Sequence, residues 1–221
     1  MTDNELRLRT NELFDSIPEL LSELFGCAEY PWEIIPKIGE YLKKIGKPAG
    51  YDEILPGVYV GKDVRIAKTA EIHAPAIICD GAEIRTGAYI RGNAYIGRGC
   101  VVGNSTELKN SIMLDGANAP HYNYVGDTIM GAHSHMGAGA VASNLKADKS
   151  NVTVHADRDY TTGLRKLGAI LGDGADVGCG CVLNPGTVIG KKTSVYPLTS
   201  VRGAVAENSI MKSPSVVVKR V

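Results

Sequence analysis

The sequence predicts an all-β fold in which short strands coil into a parallel β-helix of triangular cross-section. Two observations lead to this prediction: an aliphatic residue recurs at every sixth position, and the composition is rich in glycine but poor in large aromatics. Glycine provides 26 of the 221 residues, whereas phenylalanine occurs twice and tryptophan once. A narrow prism accommodates Ile, Val and Ala in its interior but has little room for Phe or Trp, so the composition agrees with the repeat.

The repeat forms two long series joined by a shorter one. The first series is Ile54, Val60, Ile66, Ile72, Ile78, Ile84, Ile90, Ile96, Val102, Leu108 and Leu114. The second is Leu171, Val177, Leu183, Ile189, Val195 and Val201, and between the two lie Met130, Met136 and Ala142. A period of six fits neither an α-helix nor a long alternating strand. It fits a short strand followed by a turn, and three such units close one coil. Coils stacked about 4.8 Å apart would turn the aliphatic positions into interior ladders.

The flanking segments differ from the repeat and divide the chain. Residues 1–47 have helical patterning, and we expect them to form a cap over the open edge of the first coil. Residues 48–205 form the β-helix. Within it, residues 145–168 lose the period and carry many charges, which predicts an arm inserted between coils. Residues 206–221 form a tail whose valines favour an added edge strand.

Composition also excludes several classes of function. The chain has 24 basic and 24 acidic residues, so neither a basic surface nor an acidic tail predicts a nucleic-acid partner. No stretch approaches the roughly 20 apolar residues of a membrane helix, and the N-terminal sequence lacks the apolar core of a secretory signal. The five cysteines include no C-x-x-C pair, so free thiols in a reducing, cytoplasmic setting are expected.

A histidine falls where the repeat loses its phase. The series stops at Leu114 and resumes at Val125, which is one position short of two full repeats. His121 lies inside that interval, in the segment Ala-Pro-His-Tyr-Asn-Tyr. An irregular turn is a better position for a catalytic group than a regular ladder. His121 is therefore a candidate catalytic residue, with a structural role as the alternative.

Two cations are predicted to stack on one edge of the prism. Arg91 and Lys109 are separated by three repeats, which is one full coil, and each follows a ladder residue. Their side chains should lie one above the other, with His73 one coil below. Neighbouring cations without partners repel each other unless an anion lies between them, so we expect a phosphate here. Two solvated surface charges are the alternative.

A resemblance to a known family adds to this interpretation. Residues 104–144 carry P-H-x-x-Y-x-G-D, then M-G-A-G and a downstream Asn, and resemble the acetyltransferase domain of the bifunctional enzymes that make UDP-N-acetylglucosamine. The segment TTGLRKLGAILGDGADVGCGCVLNPGTVIG looks like the archaeal-type sugar-phosphate nucleotidylyltransferase/acetyltransferases. The resemblance covers about residues 55–205. It implies a left-handed, hexapeptide-repeat β-helix that forms a homotrimer with active sites between neighbouring prisms.

The resemblance also implies a reaction and its residues. Acetyl would move from acetyl-CoA to the amino group of a sugar phosphate such as glucosamine-1-phosphate or galactosamine-1-phosphate, without a metal. His121 matches the general base, and Asn144 matches a residue that orients the reacting groups; it or backbone N–H groups would stabilise the oxyanion. The expected substrate contacts are Arg91, Lys109, Tyr124, His135 and Lys149, with Lys146 as the alternative to Lys149, and the expected coenzyme A contacts are Ala138 and Cys179. His135 stands where the bifunctional enzymes usually have a sugar-binding Asn, which leaves the amino sugar open.

Other functions are compatible with the same pattern. Residues 1–47 are too few for a uridylyltransferase domain of about 200 residues, so we expect no pyrophosphorylase activity from this sequence. A γ-carbonic-anhydrase-like enzyme shares the fold, and His121, His133 and His135 could supply a zinc site. A non-catalytic partner of a separate sugar nucleotidylyltransferase is the third possibility.

Overall fold

The computed structural model describes residues 6–220, and most of that part is short β-strand. The α-helices are α1 (Thr10–Leu13), α2 (Ser22–Gly26) and α3 (Ile38–Ile45), with 3-10 turns at Glu19–Leu21, Pro31–Glu33 and Ile35–Lys37. None of the helices in this part of the chain has the length and apolar character needed to cross a bilayer. The strands, in chain order, are β1 Asp52–Leu55, β2 Val58–Val60, β3 Arg65–Ile66, β4 Glu71–Ile72, β5 Ala76–Ile78, β6 Glu83–Ile84, β7 Tyr89–Ile90, β8 Ala94–Ile96, β9 Val101–Asn104, β10 Glu107–Lys109, β11 Ser111–Met113, β12 Asn118–His121, β13 Tyr124–Gly126, β14 Ile129–Met130, β15 His135–Met136, β16 Val141–Ala142, β17 Thr153–His155, β18 Asp159–Thr161, β19 Ala169–Leu171, β20 Asp176–Val177, β21 Val182–Leu183, β22 Thr187–Ile189, β23 Ser194–Val195, β24 Ser200–Val201, β25 Ala204–Val205, β26 Ser209–Ser213 and β27 Val216–Lys219.

Three parallel sheets form the walls of a prism, which confirms the predicted parallel β-helix. The chain visits them in turn. The first sheet has the order β1-β2-β5-β8-β11-β14-β19-β22-β25. The second has the order β3-β6-β9-β12-β15-β20-β23-β26-β27, and the third has the order β4-β7-β10-β13-β16-β21-β24. Three kinds of corner therefore recur: first-to-second, second-to-third and third-to-first.

The predicted interior ladders are present, with two corrections. From Val60 onward, the aliphatic residues of both series other than Leu114 pack into one core inside the prism, together with Met130, Met136 and Ala142. Ile54 is not part of it, because it lies on the antiparallel strand β1 and is 46% exposed. At the other end of the first series the interior residue is Met113, whereas Leu114 is buried on the outside of the prism.

The phase of the repeat changes only at third-to-first corners. Consecutive ladder residues Leu108 and Met113 are five apart, as are Val125 and Met130. Strand pairing agrees, because Met113 is the partner of Ile96 and so lies one position short of a full coil of three repeats. The expected irregularity between Leu114 and Val125 is therefore wrong: it lies earlier, just after Leu108, and is repeated one coil later.

The N-terminal segment packs along a side of the prism. Its apolar residues cover the outward-facing side chains of the first sheet, which are Ile77, Tyr95, Ile112, Ile129, Ile170 and Val188. Polar contacts fix its position: Asp15 N–H donates to Asp173 Oδ2 at 2.7 Å, and Asn110 Nδ2 donates to the Ile35 carbonyl at 3.2 Å. The expectation of a cap over the edge of the first coil is therefore wrong for the described part of residues 1–47, and residues 1–5 lie outside the described residues. The physical reason is that the outer face of the first sheet is apolar and needs cover.

The arm and the tail both add hairpins to the prism. Residues 145–168 are inserted between β16 and β19 and contain the antiparallel pair β17–β18. Val152 and Val154 are buried in the outer cluster of the first sheet, so the arm folds back on the same side as the helices. In the tail, β26 still pairs in parallel with β23 and places Met211 in the interior. The coils thus continue beyond residue 205, and β27 adds the expected edge strand.

Close stacking makes one glycine indispensable for stability. A Cβ on Gly103 would overlap the backbone carbonyl of Pro120 in the next coil, and neither backbone can move without disturbing the ladder. We predict that Gly103→Ala lowers the free energy of unfolding by at least about 2 kcal/mol in urea denaturation. Gly26→Ala is the control, because nothing lies within 4 Å of a Cβ there, and it should change stability by less than about 0.5 kcal/mol. Equal stabilities of the two variants would contradict the coil stacking described here.

Candidate functional site

Three consecutive third-to-first corners carry a group of polar side chains. Lys109 and Asn110 lie at the first corner, Asp127 at the second and Asn144 at the third, where the arm begins. Asn110 and Asp127 adopt positive φ angles of 49° and 48°, a backbone region that Asn and Asp tolerate better than most residues. The shortened corners therefore place these polar side chains one above another on the prism edge.

The Asp127 carboxylate is the centre of this group. Its side chain is only 5% exposed. Lys109 Nζ donates to both carboxylate oxygens at 2.9 and 3.0 Å, and Asn110 Nδ2 donates to Oδ1 at 2.8 Å. Asn144 Nδ2 donates to Oδ2. A carboxylate removed from water is tolerated when charged and neutral donors saturate it, and here three side chains do so.

Hydrogen bonds fix the orientation of the Asn144 amide. Its Nδ2 donates to Asp127 and also to Tyr124 Oη at 3.1 Å, so both amide hydrogens are engaged. The Oδ1 atom accepts no hydrogen bond from any residue between 6 and 220. The expected role of Asn144 beside the oxyanion stays a prediction, but in this arrangement its N–H groups already serve Asp127 and Tyr124.

Tyr124 lies on the third sheet and joins this group of polar side chains through its hydrogen bond with Asn144. Burial raises the pKa of its phenol, and the negative charges of Glu107 and Asp127 raise it further, so the phenol keeps its proton at neutral pH. Its ring folds over Gly126, where an added Cβ would lie 2.5 Å from Tyr124 Oη. A glycine at position 126 is thus required for the tyrosine to reach Asn144.

Arg91 and Lys109 stack as expected, but both have protein partners. The backbone N–H of Arg91 donates to the backbone carbonyl of Leu108 at 2.8 Å, which places Arg91 and Lys109 on adjacent coils. Arg91 pairs with Glu107 at 2.6 Å and Lys109 pairs with Asp127. The expectation of unpaired cations is therefore wrong, because acidic residues occupy the adjoining positions of the neighbouring coils. Each cation keeps further N–H groups that these pairs do not use.

His121 lies at a second-to-third corner, at the other edge of the third sheet. Its imidazole is exposed, and its backbone N–H donates to Oδ1 of the buried Asn123 at 3.0 Å. The ladder residues on either side, Ala119 and Val125, are six apart and both interior. The corner is therefore regular, and the irregular turn that made His121 a candidate is not present. What remains is an accessible imidazole on a rigid backbone.

Ala138 and Cys179 lie on the same edge as His121. The Gly139 N–H donates to the His121 carbonyl at 2.9 Å, and the Gly180 N–H donates to the Ala138 carbonyl at 2.8 Å, so the three residues occupy successive coils. Ala138 and Cys179 are both exposed. Ala138 and Cys179 thus form a line of small side chains along this edge, on the two coils that follow His121.

The structure thus separates the predicted residues into two groups. Lys109, Asn144 and Arg91 belong to the third-to-first edge, and His121 belongs to the second-to-third edge with Ala138 and Cys179. The short strand β13 lies between them and spans about 10 Å. Tyr124 begins that strand and reaches towards the first group.

Two further predicted residues lie apart from both groups. His135 faces outward from the second sheet, where its Nδ1 lies 2.9 Å from Asp176 Oδ1. Lys149 is exposed in the arm, and its side chain forms no hydrogen bond or ion pair within the described chain. Lys146 instead lines a polar cleft of about 470 Å³ between the arm and the corners, together with Ser143 and Arg202. Of the two lysines, Lys146 is the one that lines this cleft, and its ammonium group donates to Ser150.

The three histidines of the zinc alternative do not converge within this chain. His133 lies at a first-to-second corner, His135 on the second sheet and His121 at a second-to-third corner. Among residues 6–220, no three His, Cys, Asp or Glu side chains are grouped so as to hold a metal ion.

Sequence reasoning missed the acidic and amide partners in this site. Asp127 and Gly126 are the last two residues of the P-H-x-x-Y-x-G-D motif, yet the motif alone assigns no role to either. The signal was available for Asp127, because it lies one full coil of three repeats after Lys109, at the spacing that brings side chains together on adjacent coils. Glu107 directly precedes the ladder residue Leu108, and Asn110 lies two positions after it.

Comparison with known proteins supports the resemblance noted from the motifs. A family model of the GMPPB C-terminal domain matches residues 72–158. The bifunctional protein GlmU of Methanococcus maripaludis is 33% identical over 106 residues, which is 48% of this chain and 26% of the relative. The bifunctional sugar-1-phosphate nucleotidylyltransferase/acetyltransferase of Sulfurisphaera tokodaii is 35% identical over 92 residues, which is 41% of this chain and 23% of the relative. The matched part thus spans about a quarter of these relatives, and they confirm the resemblance to sugar-phosphate nucleotidylyltransferase/acetyltransferases.

One solved structure that matches this chain is a point mutant of AntD, an N-acyltransferase from Bacillus cereus, in complex with dTDP and coenzyme A. The two chains are 22% identical with a TM-score of 0.45, and the match covers 81% of this chain and 88% of AntD.

The buried and exposed ion pairs at the third-to-first edge should differ in strength. Lys109 and Asp127 are 25% and 5% exposed, whereas Arg91 and Glu107 are 43% and 33% exposed. We predict a coupling free energy of at least about 1.5 kcal/mol in a double-mutant cycle of Lys109→Met with Asp127→Asn, because either single change leaves a buried polar group short of its partner. The matched cycle of Arg91→Met with Glu107→Gln should give less than about 1 kcal/mol. Urea denaturation measures both, and equal couplings would contradict the central position of Asp127.

Proposed function

We propose that this chain is a CoA-dependent N-acetyltransferase that moves acetyl from acetyl-CoA to the amino group of a sugar phosphate, such as glucosamine-1-phosphate or galactosamine-1-phosphate. The observation that carries the proposal is the saturated cluster of Lys109, Tyr124, Asn144 and Asp127 at three stacked corners. Three of these residues are ones that the family resemblance independently implies as functional residues. The name of the Sulfurisphaera tokodaii relative over this segment includes the same type of transfer.

The phosphate would bind at the Arg91 side of this cluster. Arg91 uses Nη1 on Glu107 and retains other guanidinium N–H groups, and Lys109 retains one ammonium proton besides those facing Asp127. Because both cations are already neutralised, a phosphate would be held by these remaining directed donors more than by net positive charge. Lys146 donates to Ser150 and pairs with Asp148 at a separate cleft beside the arm, so its expected contact with a phosphate stays a prediction.

Coenzyme A would lie along the second-to-third edge. Ala138 and Cys179 are exposed there and present small side chains beside backbone N–H and carbonyl groups. A ligand can approach such a surface closely and bind through the backbone. The acetyl thioester would then lie near His121, which is on the coil that precedes those of Ala138 and Cys179.

His121 would act as the general base. The amine lone pair attacks the thioester carbonyl, a C–N bond forms, and the C–S bond breaks to release coenzyme A as a thiolate. The proton lost by the amine passes to the imidazole, and the thiolate takes up a proton to give the free thiol. An imidazole has a reference pKa near 6.5, which suits proton transfer at neutral pH, and such transfer typically accelerates a reaction about 10²–10⁴-fold.

A homotrimer would complete the site. The two groups of residues lie on different edges of the third sheet, about 10 Å apart, which is too far for one amine to contact both within a single chain, so the His121 edge of a neighbouring prism would have to face the Asn144 edge of this one. His135 faces outward on the second sheet and could contact the sugar from such an arrangement. Its identity would influence which amino sugar is accepted.

The direct test is a thiol-release assay with acetyl-CoA and a panel of amino sugar phosphates. Release that depends on glucosamine-1-phosphate or galactosamine-1-phosphate would support the proposal. Absence of release with every sugar in the panel would overturn it and favour the non-catalytic partner.

His121→Ala should lower kcat by about 10²–10⁴-fold, because the amine loses its proton acceptor, while the free energy of unfolding stays within about 0.5 kcal/mol of the parent. His155→Ala is the matched control, because His155 is also exposed but lies in the arm, where it pairs with Asp159. Steady-state thiol release measures both variants. Unchanged turnover in His121→Ala would exclude the base.

Arg91→Ala should raise the KM for the phosphorylated sugar by about 10-fold or more and change kcat less, because a directed phosphate contact is lost from the bound state. Arg65→Ala is the control: Arg65 is likewise paired with a glutamate, Glu83, but on the second sheet. Comparable KM values for the two variants would remove the phosphate contact from Arg91.

A further inference from the structure

We propose that Asp127 is the positioning residue of the site and that, because of it, Asn144 serves the substrate as a hydrogen-bond acceptor through its carbonyl oxygen. This inference rests on the proposed acetyl transfer and specifies how the amine is held. It assigns a function to a carboxylate that is too enclosed to contact the substrate itself.

The hydrogen bond between Asn144 and Asp127 can run in only one direction. An ionised carboxylate accepts hydrogen bonds and cannot donate them. Lys109 Nζ donates to both oxygens of Asp127, so neither oxygen offers a hydrogen to Asn144. The atom of Asn144 that faces Asp127 must therefore be Nδ2, and the usual ambiguity between the amide nitrogen and oxygen does not arise.

The Asn144 side chain has one hydrogen-bonding atom that the described residues do not use, which is its carbonyl Oδ1. One amide hydrogen is directed to Asp127 and the other to Tyr124 Oη. The carbonyl Oδ1 has no donor among the described residues, and the Asn144 side chain is only partly buried. A ligand beside it would therefore find an acceptor, which matches the N–H of an amine or the O–H of a sugar.

Asp127 connects the two parts of the site that would hold the two ends of the substrate. Asp127 binds Lys109, on the phosphate side, and Asn144, on the amine side, through the same carboxylate. Asn110 fixes the carboxylate from a third direction at 2.8 Å. The spacing between the phosphate contact and the amine contact is therefore set by one rigid group, which is the condition for holding a nucleophile in register for attack.

The test exchanges the amide and the carboxylate between the two positions. In Asp127→Asn an N–H₂ group enters a ring of donors, and in Asn144→Asp two carboxylates face each other. In the double variant Asp127→Asn/Asn144→Asp, the amide at position 127 donates to the carboxylate at position 144, which still presents an oxygen to the substrate. The full chain is assayed for thiol release with acetyl-CoA and the preferred amino sugar phosphate, and kcat and KM are determined separately.

We expect each single variant to lower kcat/KM by about 100-fold and the double variant to recover to within about 10-fold of the parent, with most of the recovery in kcat. If Asn144 acted through its N–H groups, a carboxylate there could not replace it, and the double variant would be no more active than the better single variant. That result would overturn the inference.

Unfolding measurements separate this inference from the proposed function. If the parent protein acetylates no sugar in the panel, the proposed function fails, and urea denaturation of the same four proteins decides the role of Asp127. A double variant more stable than either single variant supports the fixed donor direction. Single variants as stable as the double variant would show that Asp127 does not orient Asn144.

Discussion

Parallel stacking of short strands about 4.8 Å apart determines which residues of this protein are neighbours. A residue on the prism surface lies beside those one coil away in sequence, as the pairing of Glu107 with both Tyr89 and Tyr124 shows. The coil has little freedom at the first-to-second and second-to-third corners, where the ladder spacing stays at six. The third-to-first corners are where coils shorten and the arm is inserted, and the polar cluster lies there. The cluster around Asp127 thus occupies the one edge that the repeat does not constrain.

Charge balance in this protein is local as well as global. The chain has equal numbers of basic and acidic residues, and each cation of the candidate edge likewise has a carboxylate partner. Arg91 pairs with Glu107 and Lys109 with Asp127 on successive coils, and His73 lies beside Glu71 one coil below. Carboxylates close to the cations reduce electrostatic attraction for an anion but hold long, flexible side chains in one conformation. Such a site selects a ligand by the direction of its hydrogen bonds more than by charge.

The repeat could be predicted from the sequence because interior positions of a narrow prism accept few residue types. The residue that occupies each interior position could not always be predicted, because burial on the outer face of the prism produces the same apolar pattern. Leu114 is as apolar and as buried as Met113, but it packs in the outer cluster with the N-terminal helices. That similarity misplaced the shortened corner and gave His121 an irregular turn that it does not have. The cation stack was predicted from the spacing of one coil, whereas applying the same spacing to acidic residues would also have found Asp127. The orientation of Asn144 depends on contacts among three coils and is not encoded in any single motif.

The most direct measurement is a crystal structure of the full chain with coenzyme A and an amino sugar phosphate. The account predicts that the phosphate lies against Arg91 and Lys109, that the amino group lies within hydrogen-bond distance of Asn144 Oδ1, and that the contact between Asn144 and Asp127 persists. A sugar phosphate bound instead in the cleft lined by Arg202, or an Asn144 side chain turned away from Asp127 in the complex, would contradict it.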